Sequence, residues 1–359
     1  MKAVHAPDVP ASAPSGVRSN RGLPAPAKQA LIGLLALPLS VLPFLAYAEY
    51  TPEGNLLSAK VQVALAPPEL PGYGPADAAA LRARAPRWSG MAAVLVYHGM
   101  GATTAEQSLT ISPERFAEQI ATMKASGMNP ITAADLAAAR TGRGGLPDNA
   151  VLVTFDDGRT DAFMWADPVL EQAGWQATMF VITSEAGRSS LYYESWDHIA
   201  DLARTGRWDI QSHSAGMHYE QEAAGGGLLP ALTSSQPGDD GLADYAYRIE
   251  HDLDASVQAI TEHIGTQPHA FAYPFGAYGA ERVNDPRIQG VLSDAVGARF
   301  TLGFEQDQQG SIPLAGCSGD PLLTRRLEVG DWTGRELIDR LTRVAEQPAS
   351  ASTTPCPSR

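Results

Sequence analysis

The stretch Val151-Leu152-Val153-Thr154-Phe155-Asp156-Asp157-Gly158 sets both the fold class and the chemistry of this chain. An apolar, β-rich run predicts a buried strand, and a glycine directly after two carboxylates predicts that the strand delivers them to its end. Successive strand side chains point to opposite faces, so the two acids are expected to have different jobs rather than share one solvated surface. One carboxylate would bind a metal ion. The other, kept ionised beside that charge, would act as a general base.

Metal ligands should then appear downstream. Trp208 to His213 reads as a short strand running into a loop, and His218 follows five residues after His213. One of the two carboxylates with His213 and His218 would make an open three-ligand set, which suits a catalytic divalent metal, with zinc the natural occupant. Two histidines on a Gly- and Ser-containing loop also occur as plain surface residues. Their company with the paired Asp is what points to a site.

TFDDG followed by a His-Ser…His segment resembles the polysaccharide deacetylase family, carbohydrate esterase family 4, whose domain is also called the NodB homology domain. The family usually spaces its two His four apart. The five-residue spacing here is similar to the branch that deacetylates poly-β-1,6-N-acetylglucosamine. The resemblance covers roughly Ala92 to Val344 and implies an α/β fold, a distorted (β/α)7-type barrel, with its site at the strand C-terminal ends.

The rest of the chain fits that architecture. Val94–Tyr97, Val151–Phe155, Met179–Ile182, Trp208–Ser212, Ala270–Tyr273, Arg299–Gly303 and Arg325–Val329 read as seven strands. Helical patterns run over Pro113–Ser126, Thr132–Arg140, Asp161–Ala173, Ser195–Thr205, Tyr247–Ile264 and Gly334–Val344. Alternating β and α with buried strands means a parallel sheet. The domain is expected over 91–346, with a Pro/Ala-rich linker over 49–90 and a disordered tail over 347–359.

Residues 1–48 carry a basic flank, an apolar run from Ala30 to Ala48 and a small-x-small end. This describes a signal peptide or an uncleaved signal anchor, and either places the domain outside the cytoplasm, secreted or held on the outer face of the membrane. The formal charge of the 359-residue chain is −14. Nucleic acid is therefore not an expected partner. Cys317 and Cys356 are the only cysteines; in an oxidising compartment they either pair or stay as free thiols.

Two more strand ends carry chemistry. In Ala270 to Tyr278, AFAYPFGAY, the resemblance makes Phe275 the residue whose backbone N–H meets the tetrahedral intermediate. The arginine that the family places two residues before this proline is Ala272 here. The group orienting the base must come from elsewhere or be absent, and Arg326 is one candidate, though an ordinary ion pair is the alternative reading. The family's late His is missing, since no His follows His269. In the poly-N-acetylglucosamine branch the motifs are permuted and an early strand end supplies that residue, which here is His98. Trp332 reads either as a sugar-stacking residue or as core.

The implied reaction is amide hydrolysis on an N-acetylated hexosamine polymer. Asp157, His213 and His218 would hold the metal, Asp156 would be the base, Phe275 the oxyanion donor and His98 the general acid. A catalytically weak glycan-binding protein on the same scaffold and an O-acetyl esterase are the competing readings. A glycosidase would also pair carboxylates, about 5 Å or more apart, but has no need of two His.

Overall fold

The computed structural model describes residues 52–101, 109–188, 192–306, 314–346 and 354–358. The apolar Ala30–Ala48 run lies outside them. Among the described residues no helix is long and apolar enough to cross a membrane.

Twelve strands follow in chain order: β1 (Ala92–Tyr97), β2 (Gly99–Met100), β3 (Thr110–Ile111), β4 (Asn129–Ile131), β5 (Ala150–Phe155), β6 (Ala177–Val181), β7 (Trp208–Ser212), β8 (Glu220–Glu222), β9 (Leu228–Pro230), β10 (Ala270–Ala272), β11 (Leu302–Gln306) and β12 (Thr324–Glu328). Seven of them, in the order β1-β12-β11-β10-β7-β6-β5, form a parallel sheet that closes through β1 against β5. The closing pair runs in unbroken register from Ala92↔Ala150 to Tyr97↔Phe155. This is the expected (β/α)7 barrel. β4 adds to the lower half of β5, and β2–β3 and β8–β9 are separate two-stranded pairs.

The period-two rule explains how the barrel is filled. Ala93, Leu95 and Tyr97 of β1, with Val151, Val153 and Phe155 of β5, face outward onto the helices Pro113–Ala125, Thr160–Ala173 and Gly334–Glu346. The alternate residues Ala92, Val94, Ala150, Leu152, Ala270 and Ala272 belong to a second cluster inside the ring. Four of these six are alanine, which suits a narrow barrel. The rings of Phe180 and Phe304 fill the space they leave, with centroids 5.3 Å apart. A third cluster seats Phe271 and Tyr273 against the helices Leu242–Ile264 and Ile288–Gly297.

Helix starts follow their caps. Ser112, Thr132 and Ser195 each accept a backbone N–H three residues on, and Thr132 with Asp135 forms a reciprocal capping box.

Three expectations change. The segment 49–90 holds two helices, Pro52–Leu65 and Pro75–Arg84, rather than a plain spacer. It also docks on the barrel: buried Trp88 donates its indole N–H to the Ala150 carbonyl at 3.0 Å. The end of the tail is likewise packed, not loose. Cys356 is bonded to Cys317, its N–H donates to Gly90 O at 2.6 Å, and Pro357 O accepts from Leu146 N at 2.9 Å. The strand expected over Arg299–Gly303 lies three residues later at both ends, because Arg299 and Phe300 close the preceding helix.

Candidate active site

The alternation that fills the barrel also aims its upper rim. Residues Thr154, Asp156, His98, His213 and Arg326 continue the inward-facing parity of β5, β1, β7 and β12. Asp157 has the outward parity, yet it lines the same cleft as Asp156. The reason is local: the strand ends at Phe155, and Asp157 takes a left-handed backbone, φ 75°. The expectation that the acids face opposite sides fails here, while the expectation of two different environments holds. Gly158 continues the turn at φ 77°, and a Cβ there would meet Val181 Cγ1 at 3.0 Å, so the turn needs glycine.

Asp157 Oδ1 lies 3.6 Å from His213 Nε2 and 3.6 Å from His218 Nε2. One ligand atom from each of the three residues falls within 4.8 Å of the others. Asp157 Oδ1 is buried and has no hydrogen-bond partner. A buried carboxylate oxygen left unpaired is costly, and two imidazole nitrogens converge on it. His213 Nδ1 sits 2.8 Å from the Ala272 carbonyl. That oxygen can only accept, so Nδ1 carries the proton and Nε2 offers its lone pair to the cleft. Burial, with the neighbouring His218 adding to it against the pull of Asp156 and Asp157, lowers the His213 pKa to about 4, so the ring is neutral near pH 7. Two imidazoles and a carboxylate are a donor set that a divalent metal takes, and the residues fit one.

Asp156 is fully buried beside this triad. Burial is the largest single influence and would raise its pKa, but the Arg326 charge, His213, the Arg326 hydrogen bonds and His98 together outweigh it and hold the carboxyl well below the usual range. Arg326 donates to both oxygens, Nη1 to Oδ1 and Nη2 to Oδ2, each at 2.7 Å. Its guanidinium lies 5.5 Å from the Phe180 ring centroid, inside the ring of strands. Of the two readings left open for Arg326, the structure places it on the carboxylate.

His98 Nε2 stands 3.9 Å from Asp156 Oδ2, beyond direct hydrogen bonding but within the same cleft. Phe275 has φ 58°, is 41% exposed, and stacks its ring on His218 with centroids 4.4 Å apart. The six residues given roles in the reaction, Asp156, Asp157, His98, His213, His218 and Phe275, therefore line one cleft. Trp332 does not: the Arg340 guanidinium covers its ring at 3.7 Å, and it packs against the outer core.

Leu109, Arg282 and Gln306 also line the cleft and had no sequence signal. Arg282 pairs with Glu220 of the β8–β9 hairpin, and its guanidinium lies 5.9 Å from the Phe275 ring. Gln306 donates to Glu328 at 2.6 Å. A lone Arg in a loop or a Gln at a strand end carries no pattern that separates it from surface.

The profile of the polysaccharide deacetylase family matches residues 143–291, which include Asp156, Asp157, His213, His218 and Phe275 but not His98 or Arg326. The chain is 25% identical over 200 residues to the poly-β-1,6-N-acetyl-D-glucosamine N-deacetylase of Escherichia coli K12, a match covering 50% of this chain and 30% of that protein. Among solved structures, a de-N-acetylase from Aggregatibacter actinomycetemcomitans superposes with TM-score 0.59 at 23% identity, covering 71% of this chain and 99% of that one. IcaB from Ammonifex degensii superposes with TM-score 0.54 at 24% identity, covering 71% and 97%. These structural likenesses confirm the barrel.

Proposed function

We propose that the chain is a metal-dependent hydrolase that removes N-acetyl groups from an N-acetylhexosamine polysaccharide and releases acetate, a reading supported by the polysaccharide deacetylase match over residues 143–291. The observation that carries this reading is one cleft in which an unpartnered Asp157 oxygen meets two imidazole nitrogens beside the Arg326-bound Asp156.

In this reading Asp157, His213 and His218 hold the metal, with zinc the best match to a carboxylate and two imidazoles. A divalent metal there supplies positive charge to the acetamide carbonyl oxygen and acidifies water, which suits a base as weak as Asp156. Asp156 accepts the proton of the attacking water, with Arg326 keeping it ionised and oriented. The Phe275 N–H serves as a donor to the oxygen of the tetrahedral intermediate. His98 gives a proton to the departing amine as the carbon–nitrogen bond breaks. The cleft thus holds an acceptor and a donor on adjacent strand ends, as one hydrolytic turnover requires.

The arginine missing before Pro274 and the unusual position of the acid make a catalytically weak scaffold the competing reading; against it, Arg326 brings a guanidinium to Asp156 from another strand. For substrate, the relatives' names favour β-1,6-linked poly-N-acetylglucosamine. The place of action is outside the cytoplasm, which the leader-like sequence of residues 1–48 supports. The test is acetate release from a panel of β-1,6-linked N-acetylglucosamine, chitin-like and peptidoglycan oligomers, with and without zinc. Release from none of them under any metal condition would remove the assignment.

A further inference from the structure

Asp252 lies on the helix Leu242–Ile264, away from the cleft lining, and is a buried carboxylate that makes no ion pair among the described residues. Its partners are backbone. Ala215 N donates to Oδ2 at 3.0 Å and Gly216 N donates to Oδ1 at 2.7 Å. Both amides belong to the loop between His213 and His218. One turn along the same helix face, the Ser256 hydroxyl bonds the Ser212 hydroxyl, which in turn accepts from Ser214 N at 3.2 Å.

Other groups of this loop are also engaged. Met217 N donates to Ser214 Oγ at 3.0 Å. The Ser214 and Ala215 carbonyls accept from Thr183 N at 3.2 Å and Ser184 N at 2.8 Å. Ser214 is left-handed, φ 71°, a conformation a serine holds only when its surroundings fix it. Four residues stand between the two imidazoles, and two of their four N–H groups end on a single carboxylate that no cation neutralises. A loop that needed only covering would be served by water or by neutral hydroxyls. A charged acceptor makes shorter, stronger bonds and fixes two successive peptide planes.

We propose that Asp252 is a positioning residue that sets the reach of His218 toward Asp157 and His213, with Ser256 anchoring the start of the same loop. The proposal rests on the metal reading above and extends it to a residue more than thirty positions from any ligand. Outer partners of this kind govern affinity because a ligand that must be ordered at binding binds more weakly.

The experiment is zinc titration against a competing chelator. Wild type is compared with Asp252→Asn, with Ser256→Ala, and with Asp254→Asn, a change on the same helix that breaks a surface pair to Arg299 beyond the end of Ile288–Gly297. Asp252→Asn keeps the shape but offers one acceptor oxygen for two amides. Zinc affinity should fall about 10-fold or more for Asp252→Asn, by less for Ser256→Ala, and not at all for Asp254→Asn. Amide exchange at Ala215 and Gly216 is followed in the same samples and should speed up in Asp252→Asn with or without zinc. Should wild type itself take up no zinc, the metal reading falls, and the exchange data alone judge Asp252. Should Asp252→Asn not fold, the Ser256→Ala affinity decides. Wild-type affinity, or in a metal-free protein unchanged protection of the two amides, would overturn the proposal.

Discussion

Arg326 and Asp156 form a two-pronged pair, both bonds 2.7 Å, in which the arginine is wholly buried and the carboxylate all but so. The arginine comes from β12 and the carboxylate from the end of β5, with β1 between them in the ring. The pair therefore spans the barrel mouth. A buried pair is fragile to the loss of one partner, because the other is left charged and unsolvated.

Arg326→Met should consequently lower stability by about 3–5 kcal/mol and turnover by about 10²-fold. Asp156 has a depressed folded-state pKa, so its stabilising share is full above about pH 4 and is lost as pH falls through the folded value. Without Arg326, only His213 and His98 still oppose burial, and the pKa rises. The acid limb of the kcat/KM profile should then move to higher pH, and a limb that stays in place would separate Arg326 from the chemistry.

Asp156→Asn keeps the shape of the side chain and removes its proton acceptor. Metal content should stay at the wild-type level while turnover falls by about 10²-fold or more. Unchanged turnover, measured as acetate release, would make Asp156 structural.

His213→Ala and Asp157→Ala should each leave a folded chain that has lost most of its metal, as read by elemental analysis after dialysis. Full occupancy in both would refute the triad. In the chelator-treated wild type, His213 contributes a pH dependence of its own. Its pKa falls from 6.5 to about 4 on folding, so the unfolded chain takes up the proton first. Stability should drop as pH is lowered from about 6.5 to 4, on the order of 3 kcal/mol, and this component should be absent from the thermal unfolding of His213→Ala.

His98→Ala should retain metal, slow deacetylation and remove the high-pH limb of the rate profile, since that limb reports loss of the acid's proton. An intact limb would leave the proton of the departing amine to another group.

Replacing Cys317 and Cys356 together by Ser should lower stability by about 2–4 kcal/mol, because the bond closes a loop across 39 positions. The bond ties the tail beside Gly90 and Leu146, near the starts of β1 and β5 and remote from the cleft. Acetate release below the melting temperature should not change.

Much of this was written plainly in the sequence. VLVTFDDG gave a buried strand ending on two acids because the β-branched run and the glycine turn act locally. The capped helices were legible for the same reason. What stayed hidden depends on distance. Arg326 lies 170 positions from Asp156, and no local pattern says that its guanidinium runs up the barrel interior. β4 contains Pro130 and spans three residues, too short for alternation to register. Asp157 broke the alternation rule because the strand had already ended. The helix Ile288–Gly297 begins without a side-chain cap, so its start carried no mark.

The closed ring makes cyclic order, rather than chain order, the property that chemistry responds to. β1 is flanked by β5 and by β12, the last strand among the described residues, with Leu95 opposite both Val153 and Leu327. A proton donor at the end of a first strand and one at the end of a last strand are thus neighbours around the rim, one inter-strand step apart. A family that supplies its acid late and a chain that offers His98 early can therefore reach much the same point in space. On such a scaffold the gene could be opened at a different loop and the catalytic circle would still read in the same sequence.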